Sequence, residues 1–212
     1  MKGYAMKGYA MWKKPEHHFV IKEFHPPGSE KNEYLLINQE EAAVIDVSTA
    51  GDQVEAILRE SKLTLKYLLV THAHPSHLLA LPGLKAGFGG AFCLHMEDCE
   101  LLKASNVRIE PDLYIEDKTH LELGDGQIKV LHTPGHTEGS VCFYVKELDA
   151  LFSGRTLEKN GYGTIWGPTS MSRMLSSLKR LNSTIYSATV YPGRGERTTM
   201  PKEAWLNCLR SH

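Results

Sequence analysis

A layered α/β fold is what this chain of 212 residues predicts, and three features carry the prediction. Short runs rich in β-branched and aromatic residues recur between Pro, Gly and Asn punctuation. Stretches with apolar residues at helical spacing follow every few of those runs, which argues for sheets covered by helices rather than a bundle or a β-sandwich. No Pro/Ser-rich linker or block of like charge interrupts residues 18–210, so a single domain over 18–212 is expected behind a tail of 1–17.

The elements follow in order. HFVIKEF (18–24), EYLLIN (33–38) and AAVIDV (42–47) read as three strands. Val54, Ile57 and Leu58 fall at helical spacing behind Asp52, which makes 51–62 a helix. LKYLLV (65–70) is a largely apolar run, the pattern of a buried strand. LHMEDCELLKAS (94–105) begins on a strand end and becomes a helix. HLEL and QIKVLHT flank Gly-Asp-Gly, so 120–133 is a β-hairpin. SVCFYV (140–145) and ALFSG (150–154) are two more strands joined by a short charged turn. Met171, Met174, Leu175, Leu178 and Leu181 make one apolar stripe, so 170–182 is a helix laid on a sheet, its methionines filling core rather than holding a cofactor. ATVYPG (188–193) is expected as the last strand and PKEAWLNCLR (201–210) as a closing helix.

Composition narrows the function classes. The chain is 42% hydrophobic and 23% charged, with a net charge of −1 and both signs dispersed, which gives no reason to expect a nucleic-acid or acidic-membrane surface. No apolar run approaches bilayer length, and the N-terminus lacks the layout of a secretory signal. Four cysteines (Cys93, Cys99, Cys142 and Cys208) do not form a disulfide framework in a chain this long, and they read as reduced thiols of a cytoplasmic protein. MKGYA occurs twice in tandem at 1–5 and 6–10, too short a unit for a structural repeat, and is expected to carry no function.

The chemistry concentrates in four loops that follow strands. The first, THAHPSH (71–77), holds three histidines in six residues. His72 and His74 alternate around Ala73 and so point the same way, and the turn at Pro75 brings His77 around. The others are HTPGHTEGS (132–140), LFSGRTL (151–157) and VYPGRGERTT (190–199). Strand-end loops are where a sheet can deliver ligands from distant sequence positions to one point.

These four motifs resemble those of the metallo-β-lactamase superfamily, and most closely the small glyoxalase-II-like hydrolases. Members carry His-x-His-x-Asp-His, then HTPGHTPGS, LFTGDTLF and VYPGHGPxTT, and the likeness runs from about residue 18 to the C-terminus. The resemblance implies a four-layer αββα sandwich with a metal site at one edge of its two sheets. Residue by residue, the carry-over splits. The three histidines that hold the first ion match His72, His74 and His136, all present. Of the positions that hold the second ion only His77 survives, which leaves it as an additional candidate ligand. Ser76 stands where the Asp would be, Arg194 replaces the last histidine, and Arg155 replaces the carboxylate shared by both ions.

A guanidinium is always protonated and has no lone pair to donate. Losing two carboxylates and gaining two cations changes the local charge by about four units, enough to repel a dication. A second ion is therefore expected to be absent, with a guanidinium in its place, hydrogen-bonded to Ser76. Among the remaining residues, Asp46 is expected to brace the histidine loop and His132 to bond backbone. Glu138 is expected to be a solvated carboxylate, and Tyr162 and Trp166 to line a pocket or pack in the core. His17, His18, His25, His95, His120 and His212 read as surface or core residues.

Two readings of function follow. In the first, one zinc or iron at His72, His74 and His136 supports hydrolysis of a small-molecule thioester, ester or lactone by a zinc-bound hydroxide, with Arg155 and Arg194 near the substrate. Glutathione thioesters in particular are disfavoured, because the chain ends soon after the PGRG loop and leaves no room for a glutathione-gripping domain. An iron oxygenase acting on a persulfide is a related reading, but such enzymes keep the carboxylate that is Arg155 here. In the second, the protein is metal-free and catalytically silent, and its Arg-lined cleft binds an anionic ligand or a protein partner.

Overall fold

The computed structural model describes residues 19–165 and 170–211. The tandem MKGYA tail, His17, His18, Trp166 and His212 lie outside the described residues. The strands β1 (Phe19–Phe24), β2 (Glu33–Asn38), β3 (Glu41–Ile45), β4 (Thr64–Leu69), β5 (Ala91–Leu94) and β6 (Leu113–Tyr114) form one sheet in that order. It is antiparallel from β1 to β3 and parallel from β3 to β6. The second sheet runs through β7 (His120–Leu123), β8 (Gly126–His132), β9 (Val141–Val145), β10 (Ala150–Gly154), β11 (Thr189–Pro192) and β12 (Thr198–Thr199). All its pairs are antiparallel except β10 with β11.

Alternation along each strand sorts side chains between two faces. Tyr34, Leu36, Ala43 and Ile45 of the first sheet face Ile128, Val130, Phe143 and Phe152 of the second, and this inter-sheet layer is the central core. The opposite face of the first sheet (Leu35, Val44, Leu68) packs on α1 (Gly51–Glu60), α2 (Leu81–Phe88) and α3 (Cys99–Ala104) through Val54, Leu58, Leu81, Leu84 and Leu102. The outer face of the second sheet (Leu131, Cys142, Leu151) packs on Met174, Leu178 and Leu181 of α4 (Ser170–Thr184) and on Leu206. Helix, sheet, sheet, helix is the expected αββα order. Each fully buried Leu or Phe in these layers stabilises by roughly 1.5–3 kcal/mol.

Helix α1 starts without a side-chain cap of its own. The three residues that lead into it are tied down from β2. The buried Glu33 carboxylate accepts from the backbone N–H of Ser48 (2.9 Å), Thr49 (3.0 Å) and Ala50 (2.9 Å) and from the hydroxyls of Ser48 (2.7 Å) and Thr49 (2.8 Å). Burial pushes this carboxyl up, but the donors outweigh it and hold Glu33 below the usual glutamate range.

Several expectations need correction. ATVYPG is not the last strand: Thr198–Thr199 adds β12 at the sheet edge, paired with Thr189 and Val190. The closing segment is 3₁₀ over Ala204–Ser211 rather than α. Met171 leaves the apolar stripe and is exposed, because α4 begins at Ser170 and its first turn overhangs the sheet. Helix α1 stops at Glu60, since Lys62 adopts a left-handed φ of 53°. The four cysteines, by contrast, are free, as the sequence reading has them.

Candidate metal centre

Four loops at the carboxyl ends of strands meet on one edge of the sandwich. Residues 71–77 follow β4, 133–140 join β8 to β9, 155–165 follow β10, and 193–197 follow β11. The seam between the sheets is tight here. Val141 N–H donates to the Thr71 carbonyl across it at 2.8 Å, and within the second sheet Gly193 N–H donates to the Gly154 carbonyl at 2.7 Å. Gly154 sits at φ 53°, and a Cβ there would lie 2.4 Å from Thr71 Oγ1, so the crossing of the two sheets requires glycine.

The donor atoms of His72, His74 and His136 lie within 4.8 Å of one another. Their rings stand steeply tilted to one another, with centroids 4.6–4.8 Å apart. The hydrogen bonds fix which nitrogen faces inward. His136 Nδ1 lies 2.6 Å from the Thr164 carbonyl, which can only accept, so Nδ1 carries the proton and Nε2 presents its lone pair. Thr71 Oγ1 donates to Asp46 at 2.6 Å and so accepts from His72 Nδ1 at 3.1 Å, leaving His72 Nε2 for the site. Asp46 also accepts from Thr71 N–H at 2.7 Å, which is the bracing role expected of it.

His136 Nε2 faces His74 Nδ1 at 3.0 Å. A neutral His74 in its Nδ1–H tautomer donates this bond, and an ion would take the same His136 lone pair in its place. Burial is the largest cause that disfavours protonated rings throughout the cluster, and Arg155 adds to it, against Asp98 at His74 and the Thr164 carbonyl at His136. His136 is pushed down to about 4 chiefly by burial, His77 to about 3 by burial, Lys31 and its ring neighbours, and His72 lies well below its usual value for the same first cause. Three neutral, inward-facing imidazoles are the donor set that zinc or iron takes, so the residues present fit one such ion. His77 is not one of the three. It packs beside His72 with ring centroids 4.3 Å apart. Its Nδ1 lies 3.8 Å from Asp46, and because the ring is neutral this is no salt bridge. Burial in turn pushes Asp46 up to about 7, against its two bonds from Thr71.

Arg155 and Arg194 line the same cavity of about 420 Å³ as the four histidines, together with Lys31, Ser76 and Thr164. The convergence of the four loops is therefore observed. The bond from a guanidinium to Ser76 is not. Arg155 is hydrogen-bonded instead to Glu158, one turn on, with both side chains largely buried. The Ser76 carbonyl receives Lys31 Nζ at 3.5 Å. Arg194 lies against Glu30 at 3.8 Å and is half exposed.

Three contributors escaped the sequence reading. Asp98, buried at the end of the 3₁₀ turn before α3, accepts from Ala73 N–H (2.8 Å), Gly139 N–H (2.8 Å) and Thr137 Oγ1 (3.0 Å). It thereby clamps the His72/His74 loop to the His136 loop. A Cβ on Gly139 would lie 2.7 Å from Asp98 Oδ1, so the clamp closes only on glycine. Glu158 could have been suspected from its spacing three residues after Arg155. Lys31 carried no signal, because its place in the cavity comes from backbone pairing with Arg194.

The other singled-out residues are structural. His132 Nε2 donates to the Glu138 carbonyl at 2.8 Å, as expected. Glu138 is not a free surface carboxylate but pairs with Arg173 of α4. Tyr162 leans on Trp205, ring centroids 6.1 Å apart. His25 bonds Asn32 at 2.9 Å, and His120 is exposed. His95, Glu97 and His132 also bring donor atoms within 4.8 Å of one another. But His95 and His132 stack face to face, 3.9 Å apart and 14° from parallel. Rings that share an ion splay around it, and the triad rings are tilted in that way while these two are stacked, so this second group reads as packing.

Residues 28–194 match the family model of the metallo-beta-lactamase superfamily. A hydroxyacylglutathione hydrolase from Francisella tularensis subsp. novicida is 29% identical over 161 residues, covering 76% of this chain and 61% of that protein. The chain thus spans well under the full length of this relative. The probable metallo-hydrolase YqgX of Bacillus subtilis is 28% identical over 186 residues, covering 81% of this chain and 88% of that one. Among solved structures, TTHA1623 in a di-iron-bound form superposes with a TM-score of 0.73 at 27% identity, over 86% of this chain and 96% of that chain.

Proposed function

This chain belongs to the metallo-beta-lactamase superfamily, and we propose that it hydrolyses a small ester, thioester or lactone with one zinc or iron ion held by His72, His74 and His136. The observation that supports this reading most directly is the convergence of one donor atom from each of His72, His74 and His136 within 4.8 Å, on rings that burial keeps neutral. Such an ion supplies Lewis acidity and lowers the pKa of the water it holds to about 7. In the overall reaction the water oxygen joins the acyl carbon, the carbon–sulfur or carbon–oxygen bond breaks, and the leaving group takes a proton.

The chain's own residues orient and polarise. Thr164 and the Asp46–Thr71 pair hold the rings in the tautomers that face inward. Asp98 fixes the spacing of the two histidine loops. Arg155 offers guanidinium N–H groups to charge developing on the substrate oxygen, as an oxyanion hole would. Its partner Glu158 offsets the positive charge that would otherwise oppose the ion. On this reading there is no second ion, because Ser76, Arg155 and Arg194 offer it no ligands. The name of the Francisella relative favours a thioester as the bond cleaved.

A second reading, a metal-free protein binding an anion, is favoured by one observation: Lys31, Arg155 and Arg194 share the cavity with the histidines. Elemental analysis of protein purified without added metal separates the two. About one zinc or iron per chain, lost together with hydrolysis on His136→Ala, is the expected result. No metal bound at micromolar supply overturns the hydrolase reading and leaves the anion binder.

A further inference from the structure

His74 and His136 form a wall between two cavities of opposite character. On one side is the cavity of about 420 Å³ that holds Lys31, Arg155 and Arg194. On the other is one of about 360 Å³ lined by Glu97, Asp98, Leu101, Thr137 and Glu138. The charges on the two sides are not equally available to a ligand. Arg155 has its charge balanced by Glu158 through Nη1, which leaves its other N–H groups for a substrate oxygen but not a net charge for an anion. Lys31 Nζ meets a carbonyl at 3.5 Å rather than a carboxylate, and Arg194 lies 3.8 Å from Glu30, beyond a hydrogen bond. Two cations therefore stand ready for an anion beside the histidines. In the second cavity the Asp98 oxygens are taken up by Ala73, Gly139 and Thr137, and Leu101 supplies aliphatic surface. Glu97 and Glu138 are both partly exposed, so the mouth of this side is acidic even though Glu138 pairs with Arg173.

We infer that the substrate is a small monoanion lying across the histidines, its charged end against Lys31 and Arg194 and its uncharged apolar end over Leu101. This rests on reading the triad as a hydrolytic centre, but the geometry of binding is separable from the hydrolysis. A guanidinium takes a carboxylate in two parallel hydrogen bonds, which fixes that end. The acidic mouth disfavours a second negative charge at the other, so a dianion of the same length is rejected by like-charge repulsion.

Titration of the metal-free protein with monomethyl succinate, dimethyl succinate and succinate itself, followed by NMR shifts, tests the placement without hydrolysis. The monoanion is expected to bind at least ten-fold more tightly than the neutral diester or the dianion. Arg194→Glu erases its advantage over the diester, and Glu97→Gln with Glu138→Gln narrows the rejection of the dianion several-fold. On the metal-loaded protein, p-nitrophenyl esters of butanoate and of succinate should differ in kcat/KM in the same sense. Equal binding of all three probes, or a monoanion preference that survives Arg194→Glu, overturns the inference even if every ester is hydrolysed. Selective, Arg194-dependent binding without any hydrolysis leaves the inference standing and removes the hydrolase reading.

Discussion

Replacing Asp98 by asparagine changes one oxygen of a buried side chain into an amide nitrogen and leaves its size intact. Three donors converge on this carboxylate, two of them backbone N–H groups and one the Thr137 hydroxyl. Hydrogen bonds to an ionised acceptor contribute about 1.5–3 kcal/mol each, and neutral ones about 1 kcal/mol. The amide keeps its oxygen toward the side with two donors, Ala73 and Thr137. Its NH₂ is then turned against Gly139 N–H, donor against donor. Two bonds weaken and one becomes repulsive, a loss of about 3 kcal/mol after allowing for their non-additivity. The damage falls between Ala73, flanked by His72 and His74, and Thr137, next to His136, so the spacing of the triad loosens as well. Changes to groups that support metal ligands typically reduce affinity by about 10- to 100-fold. Urea denaturation of the metal-free protein and competition titration with a zinc chelator measure the two effects separately. A stability change under about 1 kcal/mol, with zinc affinity within about three-fold of the parent, would refute the view that Asp98 holds the two loops in register.

Glu33→Gln tests the carboxylate that serves the start of α1. Its acidity is enhanced in the folded state, so its contribution is present above the usual glutamate value of 4.5 and is lost as pH falls through the lowered folded value. The variant should be about 2–4 kcal/mol less stable at pH 7, and the gap to the parent should close toward pH 3; a gap independent of pH would contradict the linkage. Ser76→Asp, Arg155→Asp and Arg194→His together should raise the metal content from about one ion per chain to two, read by elemental analysis. A folded triple variant that still takes no second ion would show that these positions were assigned wrongly.

Much of the fold was legible because strands such as EYLLIN and SVCFYV bury residues on both faces, leaving apolar runs that periodicity recognises. Helix α2 was not legible. LPGLKAGF carries a proline and two glycines, and it is held helical by the packing of Leu81 and Leu84 on the first sheet rather than by local preference. The two-residue strands β6 and β12 are too short for any pattern to form. At the site, the histidines announced themselves by spacing and by likeness to known motifs. Asp98 and Lys31 did not, since a single carboxylate or ammonium looks like any other until tertiary structure places it. The pairing of Arg155 with Glu158 lay between these cases. The arginine was conspicuous as a substitution, and the partner that neutralises it was visible only as a neighbour in sequence.

That buried pair also constrains how the arginine can be exchanged for a carboxylate. Arg155→Asp on its own sets a new carboxylate beside Glu158 with only Arg194 left to act on it, and a charge stripped of its direct partner in such a place costs about 3–5 kcal/mol. Exchange by one substitution at a time must cross that destabilised step. The arginine therefore works as a ratchet, because Glu158 and Arg155 depend on each other and neither is replaced alone without cost.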